Sequence, residues 1–291
     1  MPKEKGVKKI FPLFALPILL IAFLGIWYFV FLPPSRDLKI IFCDVGQGDG
    51  AILEFPGGRT ALVDSGPDKK ILGCLGKNLP FYSKKIDLVF LSHADADHVG
   101  GLNYVLKRYQ VGQIVGSGIG KDTKAYQSFS DIVKEQKIPE IIALQGTEFD
   151  IAPMAKVRVL LPGSTLNNTS LNNASEILQV SFGRENILLT GDMEKEEAGL
   201  FAKLYPDLHA DIIKVPHHGS KYSLDANFYS RLHPKYAVIS VGAKNRYGQP
   251  HKQVLDFLKS KAIKVFRTDK QGDVQFETNG TELGQANPAS L

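Results

Sequence analysis

The chain has 291 residues, 44% hydrophobic and 22% charged, with 27 glycines, 16 prolines, two cysteines and a formal net charge of +5. That balance excludes a disordered, collagen-like or disulfide-scaffold polypeptide and fits an ordinary globular chain. The charge is unevenly held: residues 1–36 carry five basic groups against one acid, while from Asp37 onward 30 basic residues face 29 acidic ones, so the overall excess does not by itself argue for a nucleic-acid partner.

The first element in chain order is a 23-residue run without a charge, Ile10 to Leu32, long enough as a helix to cross a hydrocarbon core of roughly 30 Å. Pro12 and Pro17 lie in its first half, where a membrane helix tolerates them, and Trp27 and Tyr28 lie near its far end, where interfacial aromatics belong. Lys3, Lys5, Lys8 and Lys9 precede it against Glu4 alone, which keeps the N-terminus inside. The run exceeds a usual signal-peptide core and no small-x-small site precedes Pro33-Pro34. The expected organisation is a basic flank over 1–9, a single-pass transmembrane anchor over 10–32, a stiff linker over 33–37 and one domain over 38–291, lying outside the cytoplasmic membrane.

Within that domain, β-rich runs over 38–45, 51–55 and 59–65, broken by glycine turns, predict an antiparallel meander. Further strands are expected at 87–92, 113–115, 140–144, 155–161, 177–182, 186–190, 211–215, 236–240, 263–266 and 274–278. Apolar Val99, Leu102, Val105 and Leu106 have helix spacing and predict a helix over 99–109, with others over 124–136, 193–204, 224–232 and 251–260. Strand blocks interleaved with helices predict an α/β domain of two sheets flanked by helices. Cys43 and Cys74 are too few for a disulfide framework, and Cys43, in an apolar run, is expected as a buried free thiol.

Three clusters carry chemistry. The first is His93-x-Asp95-x-Asp97-His98, between a strand's end and a helix's start; imidazole and carboxylate suit zinc, and the carboxylates also admit manganese or iron. Alone it also reads as a polar loop. The second is Gly191-Asp192, which alone reads as a helix N-cap. The third is His217-His218 after a buried strand; adjacent histidines there are rarely core residues, because each buried imidazole needs partners for both nitrogens. Three clusters at the ends of three apolar strands predict a metal site. Between Lys214 and Lys270, twelve basic residues face three acids, either a solvated helical surface or a cationic rim for an anionic substrate.

The ordered motifs 42-FCDVGQGDGAILEFPGG-58, 62-LVDSG-66, 92-SHADADHVGGL-102, 172-NNAS-175, 189-LTGD-192, 211-DIIKVPHHGSKYS-223, 239-ISVGAKNRYGQP-250 and 268-TDKQGDVQF-276 resemble the metallo-β-lactamase superfamily. Within it they are most similar to the ComEC-like hydrolase domains associated with DNA uptake, over about residues 38–278. The resemblance implies a four-layer αββα sandwich with the site on one edge between the sheets. It implies two divalent ions, zinc or manganese: His93 and Asp95 on the first, Asp97 and His98 on the second, Asp192 bridging, and His217 completing the second. His218 is an alternative ligand or a proton donor to the leaving group, so Asp97 and His218 are the expected catalytic groups. Asp44 and Asp64, from the first signature, are expected to orient ligands. None of the seven histidines lies between 98 and 192 and Asp95 stands where a second histidine is usual, so the first site is oxygen-rich and weaker, with Asn172, Asn173 or Ser175 filling the gap. Gln249 stands where the ComEC-like pattern often has histidine. Ser220, Lys221, Asn245, Arg246 and Tyr247 are expected to meet substrate.

The function these features lead to is metal-assisted hydrolysis of a phosphodiester, by a membrane-anchored, non-specific nuclease acting on extracellular DNA. The alternatives are a hydrolase of a cell-envelope phosphodiester or small ester, and a non-catalytic DNA-binding partner. ComEC proteins join this domain to a many-helix channel, whereas one spanning segment is expected here, so a separate membrane channel protein is an expected partner.

Overall fold

In the computed structural model, which describes residues 15–30, 35–161 and 175–286, the chain divides into a unit of Met1–Pro34 and a unit of Ser35–Leu291. In the first, helix α1 (Ala15–Val30) covers 16 residues, about 24 Å at the usual rise, and the described side chains from Leu16 to Leu24 are exposed. The rest of the expected span, 10–14 and 31–32, and the flank 1–9 lie outside the described residues. No described helix is long and apolar enough to cross a membrane.

The second unit contains, in chain order, strands β1 (Leu38–Phe42), β2 (Ala51–Glu54), β3 (Thr60–Val63), β4 (Lys85–Leu91), β5 (Gln110–Gly116), β6 (Glu140–Ile142), β7 (Glu148–Ala152), β8 (Ala155–Leu161), β9 (Ile177–Phe182), β10 (Glu185–Leu189), β11 (Ile212–Lys214), β12 (Tyr236–Ile239), β13 (Lys264–Arg267), β14 (Val274–Thr278) and β15 (Leu283–Ala286). Its helices are α2 (Lys70–Asn78), α3 (Ala96–Val99), α4 (Leu102–Val105), α5 (Lys124–Gln136), α6 (Lys195–Leu204), α7 (Ala226–Leu232), α8 (Lys252–Ser260) and α9 (Thr268–Gln271). One sheet runs β15-β14-β1-β2-β3-β4-β5-β6 and the other β13-β12-β11-β10-β9-β8-β7.

Each sheet is antiparallel on one side and parallel on the other. β1, β2 and β3 pair antiparallel, then β3, β4, β5 and β6 parallel; β7 to β10 pair antiparallel, then β10 to β13 parallel. Side chains alternate across the strands. Leu38, Ile40 and Phe42 of β1 point into a core shared with Val180, Ile187, Ile212 and Phe266 of the other sheet, while Ile41 joins the layer under α2, α4 and α5. A third cluster, with Phe201, Phe228 and Leu258, lies under α6, α7 and α8. The layers are therefore αββα, as the resemblance implies.

Three expectations are corrected. In place of one helix over 99–109 there are two short ones, α3 and α4, on either side of Gly100-Gly101, which lies against the backbone of Ser65 and Pro67 with no room for a Cβ on either glycine. The short helices α2 and α9 and the edge strands β7 and β15 are added. Cys43 is not a free thiol: Cys43 and Cys74 form a disulfide with a Cα–Cα distance of 5.8 Å. It ties the end of β1 to α2, the element whose absence from the expected set hid the pairing.

Candidate metal centre

The parallel strands of both sheets deliver their C-terminal loops to one edge. β4 runs into Ser92-His93 and then α3, which carries Asp97 and His98; β3 runs into Asp64; β10 into Gly191-Asp192; β11 into the 3-10 turn Pro216–Gly219. In that turn His217 and His218 both have left-handed backbones, φ 49° and 54°, which lets two adjacent imidazoles leave the chain in different directions. His218 is buried and His217 half-buried.

One donor atom from each of Asp97, His98, Asp192 and His218 lies within 4.8 Å of all the others. His98 Nε2 is 3.4 Å from Asp192 Oδ1, and His218 Nε2 is 3.5 Å from Asp192 Oδ2 and 3.6 Å from Asp97 Oδ2. Each imidazole is held from its far side. His98 Nδ1 lies 2.8 Å from Asp64 Oδ2, and Asp64 also accepts from the Ser92 N–H and hydroxyl at 2.8 and 2.6 Å. His218 Nδ1 is 2.9 Å from the Ser240 carbonyl and 3.3 Å from Asp49 Oδ1. Such partners fix the tautomer and aim Nε2 inward.

The residues fit a divalent cation. His93 Nε2, His98 Nε2, His218 Nε2 and Asp192 Oδ1 are buried with no hydrogen-bond partner, and each orphaned group of this kind costs about 1–3 kcal/mol. Two imidazole nitrogens and two carboxylates form a donor set suited to zinc. Burial opposes charge on His98 and His218, but Asp192 with Asp64 or Asp49 outweighs it and holds both imidazoles well above their ordinary pKa. Burial would likewise raise Asp97 and Asp192, yet His218 and His98 hold both carboxyls below the usual range. Burial pushes His93 down to about 4 and lowers His217.

The other expected residues fall around this cluster. The His93 ring centroid is 4.0 Å from that of His98, with Nδ1 3.4 Å from Ser175 Oγ; Ser175 Oγ also accepts the Asp192 N–H at 3.3 Å. Asp95 is engaged by Lys121 at 2.7 Å and is not in the four-donor cluster. His217 Nε2 is 3.7 Å from Asp192 Oδ2, outside the cluster that His218 joins. Asp44 is exposed and caps its own loop through Gly46, away from the donors. Asn172 and Asn173 lie outside the described residues. Ser220 is buried and accepts the Tyr222 N–H. Asn245 is turned into its own loop, donating to the Gly242 and Gln249 carbonyls at 2.9 and 2.6 Å. Lys221 lies over the Tyr222 ring, and Arg246 over that of the half-exposed Tyr247. Gln249 donates to the His217 carbonyl at 3.2 Å, bracing the histidine turn, while His251 accepts from the Lys221 N–H at 3.3 Å.

Asp49, Lys214 and Ser92 belong to the site and were not singled out from the sequence. Asp44, Asp49 and Asp64 each lie within two residues of a glycine after a strand, and only the turn geometry separates inward from outward carboxylates. Lys214 ends an apolar strand, where a lysine reads as the first exposed residue.

The sequence matches the metallo-β-lactamase superfamily over residues 43–243. It is 32% identical over 277 residues to ComE operon protein 3 of Bacillus subtilis, covering 86% of this chain and 34% of that protein. It is 28% identical over 245 residues to Competence protein ComA of Neisseria gonorrhoeae, covering 84% and 33%. The chain thus spans about a third of the length of these relatives, whose names agree with the ComEC-like resemblance. The metallo-β-lactamase fold protein YhfI of Bacillus subtilis superimposes with a TM-score of 0.53 at 16% identity, over 83% of this chain and all of that one, a likeness of fold. Motif order, two αββα sheets and a donor cluster at their shared edge converge: the chain belongs to the metallo-β-lactamase superfamily.

Proposed function

We propose that this protein, a metal-dependent hydrolase of the metallo-β-lactamase fold, cleaves phosphodiesters and acts as a non-specific nuclease on DNA outside the cytoplasmic membrane. The observation that carries the reading is the Asp97, His98, Asp192 and His218 cluster, with its orphaned imidazole nitrogens, beside the cation-rich Lys214–Lys270 segment. His98 and His218 would hold one ion through Nε2, with Asp97 and Asp192 supplying oxygen. His93 and His217, flanking Asp192, extend the donor set toward a second, more weakly held ion, zinc or manganese. Bound there, a divalent ion supplies a water-derived nucleophile at neutral pH and neutralises charge developing on phosphoryl oxygen.

The chain's own residues do the remaining work. Asp64 and Asp49 keep the His98 and His218 rings in the orientation that leaves Nε2 free. Asp97, partly exposed beside buried donors, is the carboxylate that entering substrate and water meet first. Lys221, Lys244 and Arg246 draw phosphate by charge and read no base, which is the basis for expecting no sequence preference. Support for an outward location comes from the uncharged Ile10–Leu32 run and from the Cys43–Cys74 disulfide, a bond that persists in oxidising compartments. The competence relatives support a DNA-related context, in which a separate membrane channel protein is the partner of this reading.

The test is turnover by the purified full chain of single- and double-stranded DNA and of bis-p-nitrophenyl phosphate, with zinc or manganese supplied. Cleavage of DNA that is lost in Asp97→Ala and Asp192→Ala supports the proposal. Turnover of the small diester alone would point to an envelope phosphodiester, and DNA binding without any turnover to a non-catalytic role.

A further inference from the structure

Lys214 is the last residue of β11, and its side chain is buried. Its ammonium is ion-paired with Asp49, lies 2.6 Å from the Gly191 carbonyl and 3.5 Å from Asp192 Oδ1. Asp49 comes from the loop after β1, in one sheet; Gly191-Asp192 and Lys214 come from adjacent parallel strands of the other. The pair therefore crosses the seam between the two sheets at the edge where the donors collect. Asp49 stands behind both donor imidazoles, its Oδ1 3.3 Å from His218 Nδ1 and its Oδ2 3.9 Å from His98 Nδ1. One ammonium thus touches the carboxylate that backs the imidazoles and the carboxylate that faces them.

We infer that Lys214 is a positioning residue that, through Asp49 and Asp192, sets the spacing of three of the four donors across the sheet seam. A buried lysine with no such task is costly, because its charge must be paired and its three donors satisfied. Here the ammonium's partners among the described residues are site elements: the Asp49 carboxylate, the backbone before Asp192 and Asp192 itself. Without the ammonium, Asp49 keeps only its contacts with the imidazoles and is free to turn further toward His218. Asp192 also loses the cation on its Oδ1 side. Both changes alter where the donors point without removing any of them.

The inference rests on the cluster being a metal centre, so the readout is zinc affinity of the purified full chain, by chelator competition, alongside its thermal stability without metal. Lys214→Met is expected to weaken zinc binding by roughly 10–100-fold, the usual cost of losing an outer partner of a metal site. Because Lys214→Met alone leaves a buried charge, the decisive variant is Asp49→Asn with Lys214→Met, which is neutral at both positions. It is expected to recover metal-free stability while its zinc affinity stays at least roughly tenfold below wild type. Wild-type affinity in the double variant, or its failure to fold, would overturn the assignment and leave the pair as a plain structural element. Absence of zinc binding by the wild-type chain would instead sink the metal-centre reading itself, and the inference with it.

Discussion

Asp64 Oδ2 meets His98 Nδ1 at 2.8 Å, and this contact decides which nitrogen of His98 is available, leaving Nε2 to face Asp192. Asp64 has φ 54°, a left-handed conformation that asparagine tolerates better than most residues. Asp64→Asn should therefore keep the backbone while placing an amide donor against groups that donate. Zinc affinity is expected to fall roughly 10–100-fold; a dissociation constant within about twofold of wild type, measured by chelator competition, would contradict the orienting role.

The two adjacent histidines should not be equivalent. His218 belongs to the four-donor cluster and His217 does not, so His218→Ala should reduce phosphodiester turnover by about two orders of magnitude or more and His217→Ala by clearly less, on the scale on which lost transition-state stabilisation is read. Steady-state kinetics on bis-p-nitrophenyl phosphate check this, and equal losses would place both imidazoles on the ion.

Metal uptake should release protons. Asp192, with Asp64 behind His98 and Asp49 behind His218, favours the protonated form of both imidazoles in the metal-free protein. An ion needs both Nε2 atoms free, so binding displaces the protons held there and weakens as pH falls. Calorimetry in two buffers of different ionisation enthalpy reads the number directly; zero release would contradict protonated imidazoles in the metal-free protein.

The Cys43–Cys74 bond spans 31 residues of sequence. Closing a loop of that length removes chain entropy worth on the order of 3–4 kcal/mol from the unfolded state. Reduction with dithiothreitol, or Cys43→Ala with Cys74→Ala, should lower the thermal midpoint accordingly, as differential scanning calorimetry would record. An unchanged midpoint would mean that the layer under α2 holds without it.

Glu197, at the start of α6, is buried with both carboxylate oxygens lacking a hydrogen-bond partner. Burial, with the nearby Glu194 charge, pushes its carboxyl up to about 9. The folded state therefore keeps a proton that the unfolded state gives up above about pH 4.5, and Glu197 costs stability as pH rises from there toward 9, about 3 kcal/mol at pH 7. Glu197→Gln should raise stability at pH 8 and flatten the profile between about pH 5 and 9; urea titrations at both ends measure it.

What the sequence made legible was pattern-based. His98, Asp97, Asp192 and His218 stand in short motifs at the ends of strands whose apolar runs are unmistakable, so both the strands and their shared edge follow from local signals. The pairings that organise those donors are not local. Asp49 lies 165 positions from Lys214 and Asp64 lies 34 from His98, and no periodicity marks a carboxylate as facing inward. Asp44 and Asp49, five residues apart in one glycine-rich turn, end up exposed and buried respectively, with left-handed Gly46 and Gly48 between them. The choice between His217 and His218 rests on two left-handed residues, a backbone state that histidine does not announce. The Cys43–Cys74 bond depended on α2, a nine-residue helix too short for its spacing to stand out.

The order of the donors along the chain also gives the centre a history. Residues 97 and 98 leave the ribosome long before 192, and 218 comes later still, with Lys214 just ahead of it. No earlier fragment contains the full donor set, and a chain that stops short of β11 and its turn lacks His218. The four-donor centre is therefore complete only after β11 and its turn are made, with strands β12 to β15 of both sheets still to follow.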